Sequence, residues 1–278
     1  MAEIDLSTPH GRLNVHGWRK DTMQAAADLA QTLVVSADTH GEFVDFDETQ
    51  AYLKASALRG RAARRHGVAQ LLLRRHVPRV REYNNLSWLI ERHFQAALPL
   101  AAGVFFEGRW PHYQFLLTQR VADARPLDEY WLAADAADRI GVMEELGREL
   151  ARMHALGFLH HDLYPRNLLV RPRDQARRIV FLDAWAGGPP TQLRRPSYDL
   201  GALFLEGADI FEPEAQAELL EVYFSQRSAQ GRPVERKKML RAASRERARL
   251  RMQLIREPHR RRGRAVPSEA WELATSGS

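Results

Sequence analysis

Three polar residues interrupt an apolar run in a way that suits phosphate chemistry. The stretch HHDLYPRNLLV (160–170) carries His161, Asp162 and Asn167 through residues that would otherwise build a core. Twenty-one residues after Asp162, the apolar run RIVFL ends in Asp183. Asp162 and Asn167 read as members of a loop that leaves a helix and enters a short strand, with Asp183 closing the next strand. Asp, Asn and Asp at the ends of adjoining elements offer hard oxygen donors. Magnesium takes such donors, typically one or two carboxylates together with substrate phosphates. A further carboxylate beside them can accept the proton of an incoming hydroxyl.

HHDLYPRNLLV followed by FLDAWAG (181–187) resembles the catalytic and metal-binding loops of the protein-kinase-like fold. The shared pattern is His, any residue, Asp, four residues, Asn, then a strand ending in Asp. The resemblance implies Asp162 as the catalytic base, and Asn167 and Asp183 as magnesium ligands that also help to bind ATP. It implies a scaffold role for His160. It also calls for a lysine on an N-terminal strand and a glutamate on the helix that follows.

Composition helps to find that lysine. Of 41 basic residues only four are lysine: Lys20, Lys54, Lys237 and Lys238. Lys54 stands at the end of the strand-like segment AYLKAS in a chain that uses arginine almost everywhere else. An ammonium is a compact point charge on a thin stem, whereas a guanidinium is larger and forked. A narrow phosphate pocket favours the former, so Lys54 is assigned to the ATP phosphates. Glu82, opening the amphipathic segment VREYNNLSWLIERHF (80–94), is its expected partner. Glu91 is the rival.

Further segments narrow the resemblance. Lys54 with the arginine-rich segment after it, VREYNNLSWL, LPLAAG, QFLLTQRV, PLDEYW, HHDLYPRNLL and DLGALF together look like the lipopolysaccharide kinase family. That family phosphorylates Kdo or heptose sugars of the lipopolysaccharide inner core. The resemblance covers roughly residues 50 to 210, and it implies an anionic sugar or lipid-linked saccharide as acceptor. Three departures stand out. No G-x-G-x-x-G occurs in the N-terminal part. Ala184-Trp185 replaces the usual Phe-Gly after the metal-binding Asp. Tyr164 stands where Ser/Thr protein kinases have a lysine, which argues against that class, as does the short segment from Asp183 to Asp199. Asp199 in SYDLGAL matches a buried Asp that braces the catalytic-loop backbone. Another small-molecule or protein kinase of this fold, or a catalytically silent pseudokinase, remains an alternative on sequence alone. His154, His160 and His161 match no zinc spacing.

These residues need a scaffold that positions them. TLVVSADTHGEFVDFDETQAYLKAS (32–56) alternates apolar and polar residues and reads as a short β-meander. Segment 80–94 reads as a helix whose apolar face holds Leu86, Leu89, Ile90 and Phe94. VFFEGRW and YQFLLTQRV read as a strand pair. ADRIGVMEELGRELARMHALG aligns Ile140, Met143, Leu146, Leu150 and Met153, with Gly157 at the helix stop. NLLVRP and RIVFLDA read as strands, and beyond residue 196 the segments look helical. The expected fold is α+β and two-lobed, kinase-like: a small β-rich lobe with one main helix over 1–120, and a larger, mainly helical lobe over 121–278 ending in a basic helical tail. The role of residues 1–30 is left open.

The 278 residues suffice for such a molecule, and 45% hydrophobic with 27% charged residues suits a soluble globular chain. Cysteine is absent, which excludes disulfides and thiolate metal sites. The first twenty residues hold no apolar h-region, so a cytoplasmic protein is expected, peripheral at the cytoplasmic face of the inner membrane if it meets its lipid-linked acceptor there. Net charge is +6 and the pI 9.9, unevenly spread. Eight arginines and no acid lie between Arg59 and Arg81, and thirteen basic residues against Glu246 and Glu257 lie between Arg236 and Arg264. Solvated helix faces explain this, and so does an anionic partner such as a phosphorylated substrate or an acidic membrane surface. Nucleic acid ranks last, because no nucleic-acid-binding fingerprint is present.

Overall fold

The computed structural model describes residues 2–36, 39–73, 76–172, 174, 178–188, 195–258, 264–269 and 271. The chain divides into two compact units, Met1–Ala122 and Asp123–Ser278. It is α+β, with a β-rich first unit and a mainly helical second.

The described residues of the first unit run β1 (Ala2–Thr8), β2 (Gly11–Gly17), α1 (Lys20–Ser36), β3 (His40–Phe46), β4 (Thr49–Ala57), α2 (Gly60–Leu73), α3 (Pro78–Glu91), β5 (Pro99–Glu107) and β6 (Trp110–Gln119). The strands form one antiparallel sheet in the order β1-β2-β5-β6-β4-β3. Side chains alternate between its faces. Leu13, Val15, Leu53, Ala55, Ala101, Phe105, Phe115 and Leu117 pack on one face with Met23, Ala26, Ala27 and Ala30 of α1. Ala102, Val104, Phe106 and Leu116 face the other way and pack with Val80 and Tyr83 of α3.

The structure departs from the expected first lobe in three respects. Residues 32–36 are the last turn of α1 and not a first meander strand, so β3 and β4 form a simple hairpin. The reason is burial at helical spacing: Met23, Ala26, Ala27, Ala30 and Val34 carry one apolar stripe through the segment. The first thirty residues are integral, since β2 pairs with β5 inside the sheet. With α1 and α2 present beside α3, the first unit holds more than one main helix.

The second unit contains β7 (Arg125–Pro126), α4 (Leu127–Ala133), α5 (Ala136–Ala155), β8 (Leu168–Val170), β9 (Ile179–Phe181), α6 (Pro196–Ile210), α7 (Pro213–Ala229) and α8 (Arg236–Arg256). The three short strands form an antiparallel sheet β7-β8-β9. Asp135 caps α5, its carboxylate accepting from the Asp138 N–H at 2.8 Å. Val142, Met143, Leu146, Leu150 and Met153 form the buried stripe of α5, which packs against α7, while α6 packs against α8. Gly157 has φ +80°, the left-handed conformation in which glycine ends a helix. No helix among the described residues is long and apolar enough to cross a membrane.

Candidate active site

In the first unit, strand alternation decides where Lys54 points. Leu53 and Ala55 belong to the face packed on α1, so Lys54 between them faces the side covered by α3. Its Nζ donates to Glu82 Oε1 at 2.6 Å. Pro78 opens α3, with its fixed φ suited to the first helical position. That start places Glu82 on the inner face of α3, where its side chain is 1% exposed. Arg79, one turn earlier, donates from Nη1 to Glu82 Oε2 at 2.8 Å. A buried carboxylate costs several kcal/mol in desolvation unless paired, and here both oxygens meet cations. Glu91, at the helix end, has a half-exposed side chain and, among the described residues, pairs with Arg92 at 3.7 Å. Sequence reading did not single out Arg79. The available signal was its spacing of three residues from Glu82.

In the second unit the loop after α5 holds Asp162 and Asn167. Residues 165–167 form a turn of 3₁₀ helix that closes onto β8. The Asn167 Nδ2 donates to the Asp162 carbonyl at 2.8 Å. That bond sets the amide's orientation and makes its oxygen the atom available for a cation. The Leu182 N–H donates to the Asn167 carbonyl at 2.9 Å, tying the loop to the residue before Asp183. Asp183 has φ +56°, a sparsely populated conformation for a residue with a Cβ, and opens a 3₁₀ turn over 184–186. A carboxylate and an oriented amide oxygen fit magnesium, whose remaining ligands are normally phosphate and water. Among the described residues no group of three His, Cys, Asp or Glu is arranged to hold a metal.

The two loops run past each other as an antiparallel pair. Leu159 and Gly188 exchange backbone hydrogen bonds at 3.2 and 3.0 Å. His161 Nδ1 lies 2.9 Å from the Ala186 carbonyl, so that nitrogen carries the proton and donates. The Trp185 indole N–H donates to Asp162 Oδ2 at 3.2 Å. Gly187 has no room for a Cβ, which would lie 2.7 Å from the Leu159 carbonyl oxygen. Sequence reading saw Trp185 only as a departure from Phe-Gly, because contact across the two loops is not visible in either alone.

Asp199 supports this pair from below. Its Oδ2 accepts the His160 N–H at 2.7 Å and its Oδ1 the His161 N–H at 2.8 Å. His154 Nε2 reaches Oδ2 at 3.2 Å, and His154 Nδ1 lies 2.9 Å from the Tyr223 hydroxyl. Burial alone would raise the Asp199 carboxyl, but the hydrogen bond and charge of His154, helped by His160 and His161, outweigh it and hold the carboxyl below its usual range. His154, acting through Asp199, and His161 therefore serve the loop's backbone. His160 is fully buried, which lowers its pKa, and its ring nitrogens make no hydrogen bond of ordinary geometry among the described residues. Tyr164 is pushed up by burial, with Asp162 adding to the shift. The Arg166 guanidinium lies over its ring at 4.0 Å and pairs with Glu206 at 2.5 Å.

Comparison with solved structures shows what this fold is. A structure of WaaP in complex with acyl carrier protein superposes with a TM-score of 0.58 at 15% identity, covering 87% of this chain and 98% of that one. Glucosamine kinase in complex with glucosamine, ADP and inorganic phosphate superposes with a TM-score of 0.52 at 12% identity, covering 93% of this chain and 91% of that one. Both are kinases, and the fold is the two-lobed, kinase-like one. A comparison with curated proteins gives no significant match. The model of the lipopolysaccharide kinase (Kdo/WaaP) family matches residues 40–223, a span that includes β3 and β4, α3 and both loops of the second unit. The chain therefore belongs to the lipopolysaccharide kinase (Kdo/WaaP) family, and it is a kinase.

Proposed function

We propose that the protein transfers the γ-phosphoryl group of ATP to a hydroxyl on a sugar of the lipopolysaccharide inner core, a Kdo or a heptose. The observation that carries this reading is the joined pair of loops, in which Asn167 is oriented by the Asp162 backbone and Trp185 contacts the Asp162 carboxylate. Family membership supplies the substrate class, and the ADP bound by the related glucosamine kinase supports ATP as donor.

Each residue then has one task. Lys54, held by Glu82, grips the α- and β-phosphates as a point charge. Asn167 and Asp183 hold magnesium, which supplies charge neutralisation at the phosphates when bound. Asp162 accepts the acceptor hydroxyl proton. The acceptor oxygen forms its bond to the γ-phosphorus as the bond to the β–γ bridging oxygen breaks, and the bridging oxygen leaves on ADP. Little covalent chemistry is asked of the protein beyond orientation and charge placement. The exposed arginines of α2, Arg61, Arg64 and Arg65, suit an anionic acceptor or the acidic membrane surface that bears it.

The test is transfer of radiolabelled phosphate from ATP to a panel of dephosphorylated lipopolysaccharide cores, simple sugars and generic proteins. Label on a core saccharide, dependent on magnesium, is the expected result. Label on protein alone, or no turnover with any acceptor, would overturn the proposal and favour a protein kinase or a pseudokinase.

A further inference from the structure

Trp185 is a large apolar residue left partly exposed beside Asp162. Its neighbour Ala184 is fully buried, yet the Trp185 side chain stays 39% exposed. A lone exposed apolar residue needs no explanation by itself. Here the polar end of the ring is used, since its N–H donates to Asp162 Oδ2 at 3.2 Å. The apolar remainder is left facing solvent beside the carboxylate proposed to meet the acceptor. The main chain that carries the ring is also fixed in place. The backbone on its C-terminal side is tied to the catalytic loop by the His161–Ala186 contact at 2.9 Å and by the Leu159–Gly188 pair. The Gly187 N–H closes the turn onto the Ala184 carbonyl at 3.1 Å. Gly187, without space for a Cβ, lets the two loops approach this closely.

From this geometry we infer that Trp185 is an acceptor-binding residue, a platform on which the sugar ring to be phosphorylated lies while its hydroxyl meets Asp162. The inference rests on the proposed function, because it needs a saccharide acceptor and Asp162 as the base. Sugar rings have a polar rim of hydroxyls and a face of C–H groups. Such a face covers an indole well, and ligand sites commonly combine an aromatic wall with a few placed polar groups. The indole N–H adds a second effect. It restrains the carboxylate that the sugar hydroxyl must reach, and charge-assisted hydrogen bonds of this kind give the orientation that transfer requires.

The two effects separate by substitution. Trp185→Phe keeps a ring and removes the N–H donor, while Trp185→Ala removes both. With dephosphorylated lipopolysaccharide core as acceptor, Trp185→Phe should lower kcat by about tenfold, the worth of one charge-assisted hydrogen bond, with acceptor KM nearly unchanged. Trp185→Ala should carry the same loss and raise acceptor KM by about tenfold as the stacked area is lost. The KM for ATP and the melting temperature should stay close to wild type in both. In wild type, the core saccharide added with a non-hydrolysable ATP analogue should change tryptophan fluorescence, and in Trp185→Phe that change should vanish. An acceptor KM within twofold of wild type in Trp185→Ala would overturn the inference. So would a loss shared equally by ATP KM and thermal stability, or a fluorescence change that survives in Trp185→Phe. Absence of core phosphorylation in the wild type would instead strike the proposed function, so the two failures are distinct.

Discussion

Lys54 donates to a glutamate that solvent barely reaches: Nζ to Glu82 Oε1 is 2.6 Å, with Glu82 1% exposed. Such a lysine is held by its partner's position as much as by its own strand. Lys54→Arg retains the charge, but its fork re-aims the pairing and cannot sit as a point charge on the phosphates. The variant should fold and melt close to wild type and lose about a hundredfold in transfer, as expected for a misplacement of about 1 Å. Turnover at saturating magnesium-ATP beside a thermal melt measures both. Full activity would remove Lys54 from the site.

Glu82→Gln should affect stability as well as turnover. The substitution leaves Lys54 and Arg79 facing a neutral amide in a largely buried setting. Removing one partner of a buried ion pair costs about 3 kcal/mol. Urea denaturation should show a lower midpoint at an unchanged slope. A midpoint equal to wild type would mean that the cations find water instead.

Asp183→Asn tests the metal assignment. It should abolish transfer and weaken magnesium-dependent nucleotide binding, while nucleotide binding without magnesium changes little. Titration calorimetry with and without magnesium separates these. Unchanged turnover would end the assignment of Asp183.

His160 predicts a pH effect. Burial lowers its pKa below the ordinary 6.5, with neighbouring charges secondary. The unfolded chain therefore binds this proton more readily than the folded one. Stability is unaffected above the ordinary value and falls as pH drops below it, by up to about 1.4 kcal/mol per unit. His16, His66 and His112, also lowered chiefly by burial, act in the same direction. The Asp199 contribution has the same sign but is lost only below its ordinary 3.8. His160→Phe fills similar space without titrating, so its melting temperature should fall less between pH 7 and pH 5. An unchanged slope would refute this.

Arg64 and Arg65 are exposed on α2, while Arg74 and Arg75 lie outside the described residues. If Arg64 and Arg65 meet an anionic acceptor, Arg64→Gln and Arg65→Gln should each raise acceptor KM by about twofold to fourfold at low salt and flatten its salt dependence, leaving ATP KM unchanged. An equal effect with an uncharged acceptor would point to a structural role.

The sequence alone supported the family, the kinase-like fold and the pattern of loop residues, because these depend on local spacing. A carboxylate and an amide five residues apart on one loop, and a helix stripe from Met143 to Met153, are properties of neighbouring residues. The stripe of α1 is local too, but it starts at Met23, and residues 32–36 taken without it read like a strand.

Other features needed the tertiary structure. Lys54 and Glu82 lie 28 residues apart, and their distance depends on which face of β4 meets α3. Asp199 reaches the backbone of His160 and His161 across 39 and 38 residues. Trp185 meets Asp162 only because two loops run antiparallel, their approach permitted by Gly187. Residue type and spacing are local and can be read along the chain. Whether two distant polar groups meet is decided by packing, since strand alternation and close contact fix side-chain direction once the core has formed.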